Sequence, residues 1–142
     1  DPSNVPIGQT YDTNSDKHVV VYKKNSNYAN VLTANSSSEI SVGTQATWTS
    51  TTPQFQDGTG NFVVFDSSRN KVIIVYGDGG SSKMQAVVGT VSGTDISFGS
   101  EFDVRSGQVR ALAACFDSSQ NKTVVFFDDM GTEVAPCPQS LS

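Results

Sequence analysis

The sequence predicts an all-β protein that is built from repeated four-stranded antiparallel units. Three observations lead to this fold class: a seven-residue motif that occurs three times, short apolar runs rich in valine and aromatic residues, and turn residues between those runs. Val, Ile, Phe and Tyr favour strands, whereas Gly, Asn, Asp and Ser favour the turns that separate them. No segment keeps the apolar period of an amphipathic helix.

The repeated motif predicts a hairpin turn. It is "FDSSRNK" at 65–71, "FDSSQNK" at 116–122 and, more loosely, "YDTNSDK" at 11–17. The Asp that ends one strand can accept hydrogen bonds from backbone N–H groups just ahead, serines fit a type I turn, and Asn tolerates the left-handed conformation that closes it. A calcium loop is the alternative for this cluster, but the acidic ligands at alternate positions that calcium needs are missing.

The middle unit shows the four strands in order. One apolar run precedes the motif, a second follows it, a third comes after "GDGGSS" and a fourth after "SGT". These four predicted strands span 60–65, 71–76, 84–91 and 96–104. The end of the unit is repeated as well, because "SSSEISVG" at 36–43 matches "SGTDISFG" at 92–99.

The second strand of each unit is apolar at consecutive positions, as in "KVIIVYGD" at 71–78. Such a strand belongs to a sheet that is covered on both faces. Four-stranded antiparallel units of this length that stack face to face are the blades of a β-propeller, and a two-sheet sandwich is the competing fold. The run of "FD", a polar turn, "KVIIVYGD" and "AVVGTVSGTDISFG" resembles the tandem propeller-type repeats of extracellular bacterial, phage and metagenomic proteins. That resemblance implies a fold and a secreted setting, but it implies no activity.

The repeats do not close within the chain. The motif divides residues 11–142 into units at 11–64, 65–115 and 116–142, of which the last is incomplete. This gives about two and a half to three propeller-like blades, whereas a closed propeller needs about four or more. The N-terminal extension, residues 1–10, fits no unit, but Val5 and Ile7 alternate as in an added edge strand, where prolines are tolerated. We therefore expect the extension to be a donor strand for the incomplete last sheet of another copy, a head-to-tail contact that forms a ring or a filament.

The composition limits the cellular location and the classes of partner that the protein could have. A net charge of −5 with nine scattered basic residues argues against nucleic acid, and no apolar run approaches the roughly 20 residues needed for membrane insertion. Low charge with abundant Ser, Thr and Asn indicates an extracellular or cell-surface protein, in which the sequons at Asn35 and Asn121 are candidate glycosylation sites. Cys115 and Cys137 are candidates for a disulfide; the alternative is two buried thiols, and spacing does not decide between them.

The residues that could carry chemistry do not form a catalytic set. The single histidine, His18, begins an apolar strand, and Cys115 lies in "ALAACF", a context that predicts a buried, inert thiol. We therefore expect no enzyme activity, no metal and no cofactor. The preferred prediction is a non-catalytic extracellular structural protein that assembles with itself as a filament subunit. The alternative is a carbohydrate-binding, lectin-like module or a fragment of a larger adhesin, with Trp48 and Tyr28 as the candidate glycan contacts. For Trp48 itself, packing between neighbouring units is the preferred prediction.

Overall fold

The structure is a computed structural model that describes residues 7–55, 60–107, 109–129 and 139–141. All regular secondary structure in these residues is β-strand, and the strands form three antiparallel sheets that follow one another along the chain. The prediction of an all-β, antiparallel fold is confirmed.

The three sheets take their strands in chain order. Sheet 1 contains β1 (Ile7–Asp12), β2 (Lys17–Lys23), β3 (Asn27–Ala34), β4 (Ile40–Val42) and β5 (Ala46–Thr49). Sheet 2 contains β6 (Pro53–Gln54), β7 (Val63–Asp66), β8 (Lys71–Asp78), β9 (Lys83–Ser92), β10 (Asp95–Phe98) and β11 (Phe102–Ser106). Sheet 3 contains β12 (Val109–Asp117), β13 (Lys122–Asp129) and β14 (Gln139–Leu141).

Sheet 2 lies between the other two sheets. Strand β7 contacts both β1 and β12, and β10 lies against β3 and β5. Every residue of β8 from Val72 to Asp78 is buried, so both faces of this strand are covered, as its consecutive apolar residues predict. Sheets 1 and 3 each bury one face, because Val19 and Val21 alternate with more exposed neighbours on β2, as Val125 and Phe127 do on β13.

The fourth strand of sheets 1 and 2 is broken at the same place, which corrects the prediction of one continuous strand over 96–104. In sheet 1 the Gly43 N–H donates to the Val31 carbonyl oxygen at 2.8 Å, and in sheet 2 the Gly99 N–H donates to the Val88 carbonyl oxygen at 2.9 Å. The chain then steps out of the ladder before β5 and β11 resume it. A methyl group on Gly43 would overlap the Thr94 carbonyl oxygen of sheet 2, so glycine lets the sheets approach here.

The two ends of the chain also differ from the sequence-based assignment. Ile7–Asp12 pairs with β2 of its own sheet, so only residues 1–6 of the N-terminal extension precede the first strand, and they lie outside the described residues. At the other end, β14 supplies a short third strand opposite Thr123–Val125, in a region where Pro136 and Pro138 weaken the sequence signal for a strand.

Sheets 2 and 3 are joined by backbone hydrogen bonds rather than by side chains alone. The Gly60 N–H donates to the Leu112 carbonyl oxygen at 2.8 Å, and the Ala114 N–H donates to the Asn61 carbonyl oxygen at 2.7 Å. The segment before β7 therefore continues the hydrogen-bonded edge of β12, and the two sheets are less separate than the repeat pattern predicts.

Candidate functional site

The three copies of the repeated motif form the same turn. In each, the carboxylate that ends a first strand accepts hydrogen bonds from two backbone N–H groups at 2.9–3.2 Å: Asn14 and Ser15 donate to Asp12, Ser68 and Arg69 to Asp66, and Ser119 and Gln120 to Asp117. The residue that closes each turn has a positive φ, namely 56° at Asp16, 57° at Asn70 and 53° at Asn121. The predicted Asx-turn is confirmed, with Asp or Asn at the left-handed position.

A fourth turn of the same kind joins β8 to β9, and the repeated motif does not reveal it. The Asp78 carboxylate accepts from the Gly80 and Ser81 N–H groups at 3.1 and 3.0 Å, and Ser82 has a φ of 53°. The available signal was the Asp–Lys spacing, because Lys83 follows Asp78 by the same five residues as in the three motifs.

Two of these turn carboxylates are buried and hydrogen-bonded in a way that changes their pKa. Burial would raise the pKa of Asp66 above its ordinary value of 3.8, but hydrogen bonds from Ser68 and Arg69 outweigh that effect and lower the pKa. Burial would likewise raise the pKa of Asp78, but hydrogen bonds from Ser81, Gly80 and Thr52 outweigh that effect and lower the pKa. Both turns therefore favour the ionised carboxylate.

The three motif turns lie in a row and are linked to one another. The Asn14 side-chain amide in the first turn donates to the Ser67 carbonyl oxygen and to Asn70 Oδ1 in the second, both at 3.2 Å. Arg69 Nη1 in the second turn donates to the Asn121 carbonyl oxygen in the third, also at 3.2 Å. Each link has the same direction, from a donor side chain on one turn to acceptors on the next. We call this arrangement the turn row.

Trp48 fills the contact between sheets 1 and 2. Its side chain is 2% exposed, and its ring meets the Tyr76 ring edge-on with centroids 5.1 Å apart. The Tyr76 hydroxyl donates to Thr49 Oγ1 at 3.3 Å, and burial raises the pKa of Tyr76 to about 12. Tyr28 lies on the opposite face of sheet 1, half-buried beside the Tyr22 ring. The structure therefore does not bring the two predicted glycan contacts, Trp48 and Tyr28, together.

The outward face of sheet 1 carries a band of aromatic and aliphatic side chains, which we call the head face. Polar contacts cross it, since the Tyr22 hydroxyl donates to Asn30 Oδ1 at 2.7 Å and accepts from Gln45 Nε2 at 2.5 Å. Cross-strand pairing places its members side by side. The members are Ile7, Tyr11, His18, Val20, Tyr22, Tyr28, Leu32, Ile40 and Val42.

The described part of the outward face of sheet 3 also carries apolar side chains, and we call it the tail face. Cys115 and Val124 are cross-strand partners there, and Phe126 continues the same side of β13. The exposed position of Cys115 corrects the prediction that it is buried, because only the alternate residues of β12, such as Leu112 and Ala114, point toward sheet 2. Cys137 lies outside the described residues, so the disulfide stays a prediction.

The head and tail faces correspond, position by position, to faces that are buried inside the chain. Two residues are called equivalent here when they hold the same place in the repeat and in the strand register. Tyr11 is 43% exposed, whereas its equivalent Phe65 is 7% exposed. Ile40 is 68% exposed, whereas its equivalent Ile96 is 5% exposed. Phe126 is 50% exposed, whereas its equivalent Val75 is fully buried. The head face thus matches the face of sheet 2 that packs on sheet 1, and the tail face matches the face of sheet 2 that packs on sheet 3.

Three other residues that the sequence singles out, Asn35, Asn121 and His18, are exposed on or near turns. Asn35 is exposed between β3 and β4, where its side chain exchanges hydrogen bonds with Ser41 Oγ at 2.9 and 3.1 Å. Asn121 is exposed in the third turn of the turn row. His18 is exposed on the head face, with its ring centroid 4.9 Å from that of Tyr11. Val5 lies outside the described residues.

Metal-binding clusters and membrane-spanning helices are both missing from the described ranges. Within them, no three His, Cys, Asp or Glu side chains are grouped so that they could hold a metal ion. Across the same part of the chain, no helix is long and apolar enough to cross a membrane.

Comparison with known proteins identified no relative of this chain. No family model matches the chain, and neither the curated proteins nor the solved structures include a significant match. The resemblance to propeller-type repeats therefore stays a prediction.

Proposed function

We propose that this chain is a non-catalytic structural protein that assembles with itself head to tail. One observation carries the proposal: both outward faces of the three-sheet stack are equivalent to faces that the chain already packs against each other inside. Ile40 on the head face and Ile96 inside differ in exposure, 68% against 5%, because a preceding sheet covers only the second. When the head face of one copy covers the tail face of another, the two copies make the same contact that the chain makes twice within itself, between sheets 1 and 2 and between sheets 2 and 3.

The composition of the head face suits a contact that forms after folding. Several of its residues are more polar than their buried equivalents, with Tyr11 in place of Phe65 and His18 in place of Val72. A face that is exposed before assembly stays soluble more readily with such residues, whereas a large exposed apolar patch promotes non-specific association. Because the two faces are different surfaces, the contact is heterologous and propagates into a filament, or into a ring if the rotation closes.

Strand addition is the second part of the proposal. Among the described residues of sheet 3, β14 pairs with Thr123–Val125, whereas in sheet 2 strand β9 follows β8 from Val72 to Asp78. Residues 1–6, including Val5, precede β1 at the edge of the head face, from which they can reach the tail end of the adjoining copy. We propose that this segment extends the incomplete sheet there by adding a strand to its exposed edge. Ile7 contributes through its exposed side chain, because its backbone is already paired with Tyr22.

An extracellular setting fits the same proposal. The low charge and the Ser/Thr/Asn-rich composition favour it, and both sequon asparagines, Asn35 and Asn121, are exposed on turns. Trp48, the main predicted glycan contact, is buried between sheets. This favours self-assembly over carbohydrate binding as the function.

The proposal is tested by the association state of the purified chain. We expect sedimentation velocity to show species larger than a monomer that grow with concentration, and negative-stain electron microscopy to show elongated particles. Phe126→Asp is expected to leave a folded monomer because it places a charge on the tail face. Ser100→Asp, which adds the same charge in the exposed connection between β10 and β11, is expected to assemble like the parent. An intact chain that stays monomeric at high concentration contradicts the proposal, as does a Phe126→Asp variant that forms the same particles.

Strand addition has a separate test. Deletion of residues 1–6 leaves β1 in place and is expected to weaken assembly without changing the circular dichroism spectrum. If the shortened chain forms the same particles with the same concentration dependence, strand addition is wrong and only the stacking of faces stands.

A further inference from the structure

The turn row has a direction, and that direction leaves acceptors at one end and a donor at the other. Asn14 of the first turn reaches Ser67 and Asn70 of the second, and Arg69 of the second reaches Asn121 of the third. Donors therefore always point from the first turn toward the third. An added turn after the third would have to supply acceptors, and an added turn before the first would have to supply a donor.

The first turn carries the acceptors that such a contact needs. Thr13 is the equivalent of Ser67. Asp16 is the equivalent of Asn70, whose side-chain oxygen accepts from Asn14, and of Asn121, whose carbonyl oxygen accepts from Arg69. Asp16 lies at the border of the head face, since its carboxylate accepts from the Tyr11 hydroxyl. A carboxylate offers about four acceptor sites, so this hydrogen bond leaves it able to accept others.

The third turn carries the donor. Gln120 is the equivalent of Arg69 and has an exposed side chain. Its amide can donate where the guanidinium of Arg69 donates in the preceding link, although it has a shorter reach and no charge. The first turn is also the more acidic partner, because Asp16 stands where the second and third turns have Asn70 and Asn121.

We propose that the turn row continues from one copy to the next, with Gln120 of one copy donating to the Asp16 turn of the following copy. This inference rests on the proposed head-to-tail assembly and adds what sets its register: the third turn seats on the first turn while the tail face seats on the head face. The partner is therefore a second copy of this chain. It is recognised through a hydrogen-bonded turn as well as through apolar packing.

The test uses the residues that the repeat itself places at these positions. Gln120→Arg puts the residue of the second turn into the third, and Asp16→Asn puts the residue of the second turn into the first, so both variants are expected to keep the fold. In the parent background, Gln120→Arg is expected to lower the apparent dissociation constant of assembly about two- to five-fold, as an exposed ion pair would. The gain should shrink as salt rises from about 0.05 to 0.5 M. In the Asp16→Asn background the gain should disappear.

The outcomes separate this inference from the function on which it rests. If the parent assembles and Phe126→Asp abolishes assembly, but Gln120→Arg acts equally in the parent and in the Asp16→Asn background, the turn row does not continue between copies and only this inference is overturned. If the parent stays monomeric at every concentration, the proposed function fails and this inference fails with it. A thermal melt of each variant at low concentration shows whether any change arises from the fold of the subunit.

Discussion

Two isoleucines at equivalent positions should respond oppositely to the same substitution. Ile96 on β10 is 5% exposed and belongs to the core, so Ile96→Ala removes buried methyl groups and leaves a cavity, which costs about 2–5 kcal/mol of unfolding free energy. Ile40 on β4 is 68% exposed, and Ile40→Ala should change the unfolding free energy of the isolated subunit by less than about 0.5 kcal/mol.

The association free energy should show the reverse sensitivity for Ile40. If another copy covers Ile40 as sheet 1 covers Ile96, the lost contact is worth about 2 kcal/mol, the low end of the core value. Since about 1.4 kcal/mol corresponds to a factor of ten, Ile40→Ala should weaken association roughly 30-fold.

Urea denaturation at low concentration measures the subunit, and sedimentation velocity across a concentration series measures association. The head face does not correspond to the buried face of sheet 2 if Ile40→Ala destabilises the isolated subunit as much as Ile96→Ala does. The correspondence is equally refuted if Ile40→Ala leaves the association constant unchanged.

Three further predictions concern the fold that presents these faces. Trp48→Ala should cost about 3–5 kcal/mol of unfolding free energy, measured by urea denaturation, because it empties the contact between sheets 1 and 2; a change below about 1 kcal/mol would show that the contact is not formed. Because the pKa values of Asp66 and Asp78 are lowered from 3.8, their contribution to stability is present above that value and is lost as pH falls through the folded pKa. Thermal melts between about pH 5 and 2 should therefore fall in midpoint, and Asp66→Asn should flatten the slope; a parallel pH profile in that variant would contradict the role of its carboxylate. Gly43→Ala should lower the melting midpoint, since its methyl group would overlap the Thr94 carbonyl oxygen. Gly93→Asn should be tolerated, because Gly93 has a φ of 62° and open space around it. Equal midpoints in the two variants would show that sheets 1 and 2 are not in close contact at Gly43.

The elements that local chemistry specifies were predictable from the sequence. The turn of "FDSSRNK" needs only an Asp at a strand end and an Asn that accepts a positive φ, and both residues are present in the sequence. The covered faces of β8 follow from consecutive apolar residues in the same way. The turn at Asp78 was predictable too, because it shares the five-residue Asp–Lys spacing of the motif. Its glycines and serines make that similarity hard to recognise.

The features that depend on contacts between sheets were not predictable. In sheet 1 the break in the fourth strand lies where Gly43 meets the Thr94 carbonyl oxygen, and nothing local in "ISVG" marks that meeting. The exposure of Cys115 depends on whether another sheet covers β12. The apolar run "ALAACF" predicts a buried strand in either case. The head and tail faces share this property, because exposed residues such as Ile40 and Phe126 are as apolar as their buried equivalents Ile96 and Val75.

The central claim is that one head face meets one tail face, and a mixture of two variants tests it most directly. Ile40→Asp blocks the head face and leaves the tail face intact, while Phe126→Asp blocks the tail face and leaves the head face intact. We expect each variant alone to sediment as a monomer. Mixed in equal amounts, the two should form a one-to-one dimer that grows no further, because only one intact head and one intact tail remain between them. A mixture that stays monomeric, or a single variant that still forms larger species, would contradict head-to-tail assembly.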